Sequence, residues 1–304
     1  MIPFDVVGFG ALNVDKLYKV NKLAKAEEES FIETYTEACG GSAANTIIGL
    51  TRLGCKTGFV GKIGCDRESK LILRDFCLEG VDTKGIIQAD NGRSGLVLGF
   101  VDQKGERALY VDPGVNDTIT FDELDHEYVS KTRFLHLSSF VGKQSFQVQK
   151  KLLESIPKST KVSFDPGILY ASKSHDALKP ILKKTFLLMP NKIELKLLTG
   201  KTNYHEGAEF MIQQGIKIVA VKLGSAGSYV SNGNESHFVK SFNVDAVDTT
   251  GAGDAFDAGF IFGLLNEESL FDCARIGNFV ASQKVMRMGA RAGLPYVKDL
   301  DLLD

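Results

Sequence analysis

Asp248-Thr249-Thr250-Gly251-Ala252-Gly253-Asp254-Ala255-Phe256 stands at the head of an apolar run that reads as a helix. Gly251 and Gly253 leave the backbone bare, so an anion can approach their N–H groups closely. The helix that follows adds unpaired N–H groups and the positive end of its dipole. Asp254 falls in the first turn beside that anion site, where the helix end is expected to keep its carboxylate ionised. Such a weak base suits phosphoryl transfer, which needs a proton acceptor only late in the reaction. The plain alternative is a glycine turn followed by a helix-start residue.

A second cluster is Gly40-Gly41-Ser42-Ala43-Ala44-Asn45, followed by Leu50-x-x-Leu53-Gly54. A glycine pair before a helix permits a tight turn and lets a ligand touch the backbone. Asn45 offers a donor and an acceptor, which suits hydroxyl groups. The alternative here is an ordinary helix N-terminus with Ser42 as its cap.

The elements that must position these residues alternate between short β-rich runs and amphipathic helical runs. Strands are expected at 4–8, 57–60, 134–137, 161–164, 186–189 and 218–222, and helices at 42–53, 144–154, 176–184, 191–198 and 207–214. Two long helices, 252–265 and 269–286, are expected to close the chain. Helices between successive strands imply an α/β fold with a mostly parallel sheet covered on both faces. Residues 14–38 and 94–111 break the rhythm: they are extended and lack a helical period. Leu96–Val101 and Arg107–Val111 read as a hairpin around Gln103-Lys104-Gly105-Glu106, and both segments are expected to pair as a small separate sheet. The whole of 1–304 then reads as a single domain with an inserted lid.

Other chemistries lack their residues. The net charge is −2, with Lys and Arg scattered, so there is no footprint for nucleic acid or an anionic membrane. No apolar run reaches the roughly 18 residues of a membrane span. The N-terminal Met-Ile-Pro-Phe-Asp carries no signal-peptide pattern, so a cytoplasmic protein is expected. The five cysteines (Cys39, Cys55, Cys65, Cys77, Cys273) form no Cys-x-x-Cys pair and read as reduced thiols, mostly small buried groups. Cys39 is set apart by its place before the Gly40-Gly41 pair. A P-loop would need a glycine where Leu195 precedes Gly200-Lys201-Thr202. Gly8-Phe9-Gly10-Ala11-Leu12-Asn13 lacks the third glycine and the helix of a dinucleotide site. The five histidines fall in no hydrolase-like arrangement.

Taken together, Gly-Gly-Ser-Ala-Ala-Asn early and Asp-Thr-Thr-Gly-Ala-Gly-Asp late resemble the two signatures of the ribokinase-like (PfkB-type) carbohydrate kinases, and the likeness runs from Val6-Val7-Gly8 to Gly289-Ala290. The resemblance implies a three-layer α/β/α fold with a β-sheet lid. It implies an ATP- and Mg2+-dependent kinase acting on a small sugar. Asp254 would be the base, and the N–H groups of Gly251, Ala252 and Gly253 the anion hole for the γ-phosphate. Asn13 and Asp15 resemble the pair that binds sugar hydroxyls, with Gly40, Gly41 and Asn45 completing the acceptor pocket. Asn191-Lys192-Ile193-Glu194 resembles an Asn-x-x-Glu motif, its Glu holding magnesium through water and its Asn reaching phosphate. Lys222-Leu223-Gly224-Ser225-Ala226-Gly227 resembles a nucleotide-binding turn, and Asn278 falls where the family lines its adenine pocket. In relatives the lid often pairs with a second subunit, which implies a homodimer.

Departures bear on the acceptor. Ser138-Ser139 stands where ribokinases place a ribose-binding Glu, and Ser163-Phe164-Asp165-Pro166-Gly167-Ile168-Leu169 lacks the Arg of kinases acting on acidic sugars. Asp248 and Thr250 match positions that bind a monovalent cation such as K+, but Gly293 replaces the hydroxyl expected near that site. A nucleoside kinase remains the rival reading, with Tyr18, Phe31, Tyr35, Phe100 and Tyr110 able to form either a nucleobase slot or lid packing. A non-catalytic sugar- or nucleotide-binding protein would be expected to lack the base, and Asp254 is present.

Overall fold

Val6 and Val7 are neighbours in β1 (Phe4–Phe9), both fully buried, yet they pack into two different cores. Successive side chains on a strand point to opposite faces, so a strand buried on both sides needs helices above and below it. The computed structural model, which describes residues 3–303, shows that arrangement; Met1 and Ile2 of the N-terminal stretch and Asp304 lie outside it.

The chain continues through β2 (Asn13–Val20), β3 (Ile32–Gly40), α1 (Ser42–Arg52), β4 (Thr57–Ile63), α2 (Arg67–Glu79) and β5 (Ile86–Gln88). Then come β6 (Gly95–Val101), β7 (Arg107–Asp112), α3 (His126–Ser130), β8 (Thr132–Leu137), α4 (Lys143–Ser155), β9 (Lys161–Phe164) and α5 (Gly167–Ala171). Next are α6 (His175–Leu182), β10 (Thr185–Leu188), α7 (Lys192–Thr199), α8 (Tyr204–Gln213) and β11 (Ile218–Lys222). The chain ends with β12 (Ser228–Ser231), β13 (Ser236–Val239), α9 (Ala252–Leu265) and α10 (Leu270–Val285), then a 3-10 turn at Val297–Leu303.

The nine-stranded sheet has the order β13-β12-β11-β10-β9-β8-β1-β4-β5. Its strands run parallel from β11 to β5; β12 and β13 form an antiparallel edge. One face packs on α1, α2, α9 and α10, the other on α3 to α8. This is a three-layer α/β/α sandwich. The chain winds outward from β1 to β4 and β5, then returns to β8 on the other side of β1. A reversal of this kind opens a crevice at the carboxyl ends of the strands, where ligands bind in such sheets.

The extended segments form a separate four-stranded sheet, β3-β2-β6-β7, whose hairpin turns at Gly105 as expected. Only three residues separate β1 from β2, so the small sheet springs directly from the crevice. Several elements were not anticipated: α2, the short α3, α5 and β5, and the edge pair β12–β13. In α2 only Ile72 and Phe76 are buried apolar residues, too few to show a period. Its legible signal was Asp66 with Ser69, which make a reciprocal capping box. Among the cysteines only Cys273 is buried, while Cys65 and Cys77 are exposed, which corrects the expectation of mostly buried thiols; all five are free.

Candidate active site

The first turn of α9 is held open by its own sequence. Gly251 is the N-cap at φ 76°, a left-handed conformation that only glycine adopts without strain. A Cβ there would also stand 2.9 Å from the Ala290 carbonyl. Asp248 shapes the approach by accepting from the Thr250 N–H (2.9 Å) and hydroxyl (2.7 Å). Of the three amides expected at the anion hole, Ala252 N–H instead closes a turn onto the Thr249 carbonyl at 3.1 Å. The N–H groups of Gly251 and Gly253 have no acceptor among the described residues, nor has that of Asp254.

Asp254 faces α1. One carboxylate oxygen accepts from the Ser42 hydroxyl and the other from Asn45 Nδ2, both at 2.7 Å. Ser42 is therefore no helix cap: Gly41, at φ 110°, occupies the cap position without a side chain, and the Ser42 hydroxyl turns to Asp254 instead. The expectation that the helix end would govern the charge of Asp254 is corrected as well. Burial raises its carboxyl above the ordinary value, against the lowering effect of the Asn45 and Ser42 hydrogen bonds.

Asn45 is oriented from behind. Arg291 Nε donates to Asn45 Oδ1 at 2.7 Å, which leaves Nδ2 to point at Asp254. The same guanidinium pairs with Asp75 and donates to the Gly40 carbonyl at 3.3 Å. Arg291 was missed as a site residue; its only signal was a charged residue inside the Gly289–Gly293 stretch.

On the small sheet, Asn13 and Asp15 lie on one face of β2 beside Gly40, with which Asn13 pairs in register. A Cβ on Gly40 would stand 2.3 Å from an Asp15 oxygen, so the carboxylate lies directly over that glycine. No donor among the described residues reaches the Asp15 carboxylate. Burial pushes it up to about 6, with Arg291 lowering it and Asp254 raising it further. Asn116, also missed, holds the start of β2: it donates to Asn13 Oδ1 (3.1 Å) and bonds the Leu12 N–H and carbonyl (both 2.9 Å). Ser138, standing where an acidic group was weighed, accepts from the Ala43 N–H at 3.2 Å. Cys39 is no reactive thiol, since burial pushes it up to about 11.

On the other side of the α9 first turn lies a cavity of about 650 Å³, lined by Lys222, Gly224, Gly227, Ala252, Gly253 and Asn278 among others. Lys222, Gly224, Gly227 and Asn278, expected at a nucleotide, thus share one cavity with Ala252 and Gly253, while Asn191 does not line it. Asn278 lines the cavity with its Nδ2 already given to the Val239 (2.9 Å) and Lys240 (3.2 Å) carbonyls. Lys222 is not a surface lysine. Its Nζ pairs with Asp165 at 2.8 Å and Asp257 at 3.1 Å, and lies 3.3 Å from where a Gly253 Cβ would be. Burial opposes the charge on Lys222, but Asp165, Asp257 and Glu194 hold it well above the lysine range. Burial likewise pushes Asp257 far up.

Asn191 and Glu194 form a reciprocal capping box at the start of α7. Asn191 Oδ1 accepts from the Ile193 and Glu194 N–H groups, and Glu194 Oε2 accepts from the Asn191 N–H at 2.8 Å. A bridge to Lys222 sets Asn191 at the neighbouring strand end. Glu194 is buried rather than part of a solvated face, and burial, with Asp165 adding to it, pushes it up to about 6. Its Oε1 has no donor among the described residues.

Asp248 does not present an open site. The ammonium of Lys284 donates to its carbonyl at 2.6 Å and lies 3.9 Å from its carboxylate, whose oxygen accepts from the Gly289 N–H at 2.7 Å.

Known proteins resemble this chain along most of its length. The family described as pfkB family carbohydrate kinase matches residues 4–296. A protein named "uncharacterized sugar kinase" from Archaeoglobus fulgidus is 46% identical over 82% of this chain and 98% of its own. An ATP-dependent ribose-1-phosphate kinase from Halopiger xanaduensis is 31% identical over 94% of both chains. The solved Arabidopsis thaliana ribokinase, complexed with ribose and ATP, superposes with a TM-score of 0.87 at 26% identity, covering 100% of this chain and 99% of that one. With the match running from the first strand to beyond the last helix, this chain belongs to the pfkB family of carbohydrate kinases, and it is a sugar kinase of that family.

Proposed function

We propose that the chain transfers the γ-phosphoryl group of ATP to a hydroxyl of a small neutral sugar, with Asp254 as general base. The observation that carries this reading is the position of Asp254. Its carboxylate is fixed by Ser42 and Asn45, with the 650 Å³ cavity on one side of its helical turn and Asp15 on the other.

ATP lies in the cavity with its phosphates toward the free N–H groups of Gly251 and Gly253. These two, with Asp254 N–H and the Lys222 ammonium below them, stabilise the charge that spreads over the transferring group. Asn13, Asp15 and Asn45 orient the acceptor. As the acceptor oxygen bonds to phosphorus and the bond to the ADP oxygen breaks, its proton passes to Asp254. The small sheet covers the acceptor and keeps water from competing for the phosphoryl group. The donor set suits Mg2+ arriving with the nucleotide. Glu194, a largely buried residue, accepts through Oε2 and has no donor to Oε1 among the described residues, and no cluster of three or more metal-ligating side chains occurs among them. The ion would supply charge neutralisation of the phosphates.

Strand register favours a sugar over a nucleoside. Tyr18 pairs with Tyr35 and Phe100 on one face of the small sheet, and these rings stack on one another at 5.7 and 5.2 Å. Asp15 is an odd number of residues from Tyr18 along β2, so it points to the opposite face. Tyr110 shares the ring-bearing face, touching Phe100 at 6.0 Å, and Phe31 is 73% exposed before β3. None of the five rings weighed as a nucleobase slot is supported as one on the acceptor side. The exposed rings suit a second subunit against this sheet, which the same reading includes. A coupled ADP-release screen across pentoses, hexoses, sugar phosphates and nucleosides tests the proposal. Turnover confined to nucleosides would overturn the acceptor class, and no turnover on any acceptor would overturn the kinase reading.

A further inference from the structure

The loop that delivers the anion hole carries a cation of its own. Lys284, in the last turn of α10, has a side chain with 0% exposure, and its Nζ donates to the Asp248 carbonyl at 2.6 Å. The carboxylate of the same Asp248 lies 3.9 Å away. A buried ammonium is tolerated only with such partners, since burial of an unpaired charge is costly. Burial lowers its pKa, while Asp248 and Asp254 raise it.

Everything around Lys284 ties the segment before α9 to the segment after α10. Val285 O accepts from the Val247 and Asp248 N–H groups at 2.8 and 3.0 Å, and Gly289 N–H donates to Asp248. Gly251, which begins the anion hole, sits against Ala290. The position where a hydroxyl would complete an alkali-ion site is closed: a Cβ on Gly293 would stand 2.5 Å from the Lys284 carbonyl oxygen. So the backbone of the lysine that reaches Asp248 leaves no room for a side chain at Gly293.

We propose that Lys284 is a tethered substitute for an exchangeable monovalent cation, holding the 248–251 loop so that the Gly251 and Gly253 N–H groups face the nucleotide phosphates without K+. Ammonium and potassium ions are close in size and charge, so one can stand for the other at a carbonyl and a carboxylate. The inference rests on the reading of 251–254 as a phosphate site. Lys284 acts through Asp248 and touches neither nucleotide nor acceptor; it is a positioning residue.

The test measures ADP affinity and thermal stability in KCl, NaCl and tetramethylammonium chloride at equal ionic strength. The wild-type protein is expected to show the same affinity and melting temperature in all three salts. Lys284→Ala in tetramethylammonium is expected to bind ADP roughly tenfold more weakly, and KCl or methylammonium chloride should restore most of that loss. A K+-specific gain of threefold or more in the wild type overturns the proposal, as does a Lys284→Ala loss that no small cation restores. Should the alanine variant not fold, Lys284→Met keeps the stem, and the wild-type comparison decides by itself. ADP binding needs no acceptor, so these results stand apart from the sugar screen. A protein that binds no ADP at all fails the kinase reading instead, and a K+-specific rise in its melting temperature still overturns the role of Lys284.

Discussion

Asn45 Nδ2 donates to Asp254 Oδ2 across 2.7 Å, joining the first turns of α1 and α9 over a sequence separation of 209 residues. The bond places an amide that could serve an acceptor hydroxyl directly on the carboxylate that could deprotonate it. Arg291, Asn45 and Asp254 form one line of contacts.

Asp254→Asn keeps the shape of the residue but removes its basicity. The kcat should fall by about 10²–10⁴, the usual range for losing a general base. ADP affinity, measured by calorimetry, should stay within a factor of about two, because the N–H groups of the turn remain. Wild-type turnover in this variant would remove Asp254 from the mechanism.

Arg291→Ala removes the donor that orients Asn45 and the positive charge that lowers Asp15. A loss of about 10–100-fold in kcat is expected from misplacing the base by a fraction of an ångström. The acid limb of kcat/KM should also move to higher pH as Asp15 titrates later, a shift that a purely structural arginine would not produce. The pair with Asp75, partly exposed, should cost about 1–2 kcal/mol in urea unfolding.

Asp15 links stability with binding. Its folded carboxyl titrates near about 6, above its ordinary 3.8, so the folded chain holds that proton more readily than the unfolded chain does. The favourable contribution is complete below the unfolded value and is lost as pH rises through about 6. At pH 7.5 Asp15→Asn should therefore be more stable than wild type by about 1 kcal/mol, after allowing for its partial exposure. The gain should vanish near pH 3.5, while the acceptor KM rises at every pH. A less stable variant at pH 7.5 would contradict the burial of this charge.

Gly40→Ala tests the close approach of Asp15. The added Cβ has no room beneath the carboxylate, so the acceptor KM should rise by about tenfold with ADP affinity unchanged. Tyr18→Ala, on the other face of the same sheet, should leave the ranking of acceptors in the screen unaltered.

Much was legible in the residue order alone. The Asp-Thr-Thr-Gly-Ala-Gly-Asp and Gly-Gly-Ser-Ala-Ala-Asn runs, the βα alternation and the extended 14–38 and 94–111 segments announced an α/β kinase-like chain. Each of those signals is local: a glycine pair, a period, a helix start. α2 escaped because two buried apolar residues show no period, while the edge hairpin drew no reading at all.

Tertiary structure alone decided which partner each polar atom takes. Ser42 reads as a cap until Gly41 fills that place and Asp254 comes within 2.7 Å. Lys222 reads only as the start of a glycine-bearing turn until Asp165 and Asp257 close on it, and Arg291 is one charge among many until α1 meets it. Burial reversed the expected direction at Asp254, and the pleat of β2 separated Asp15 from the aromatic rings. Residue types fix what a side chain can donate or accept. Only the folded chain brings together groups a hundred or more positions apart and removes the water that would otherwise satisfy them.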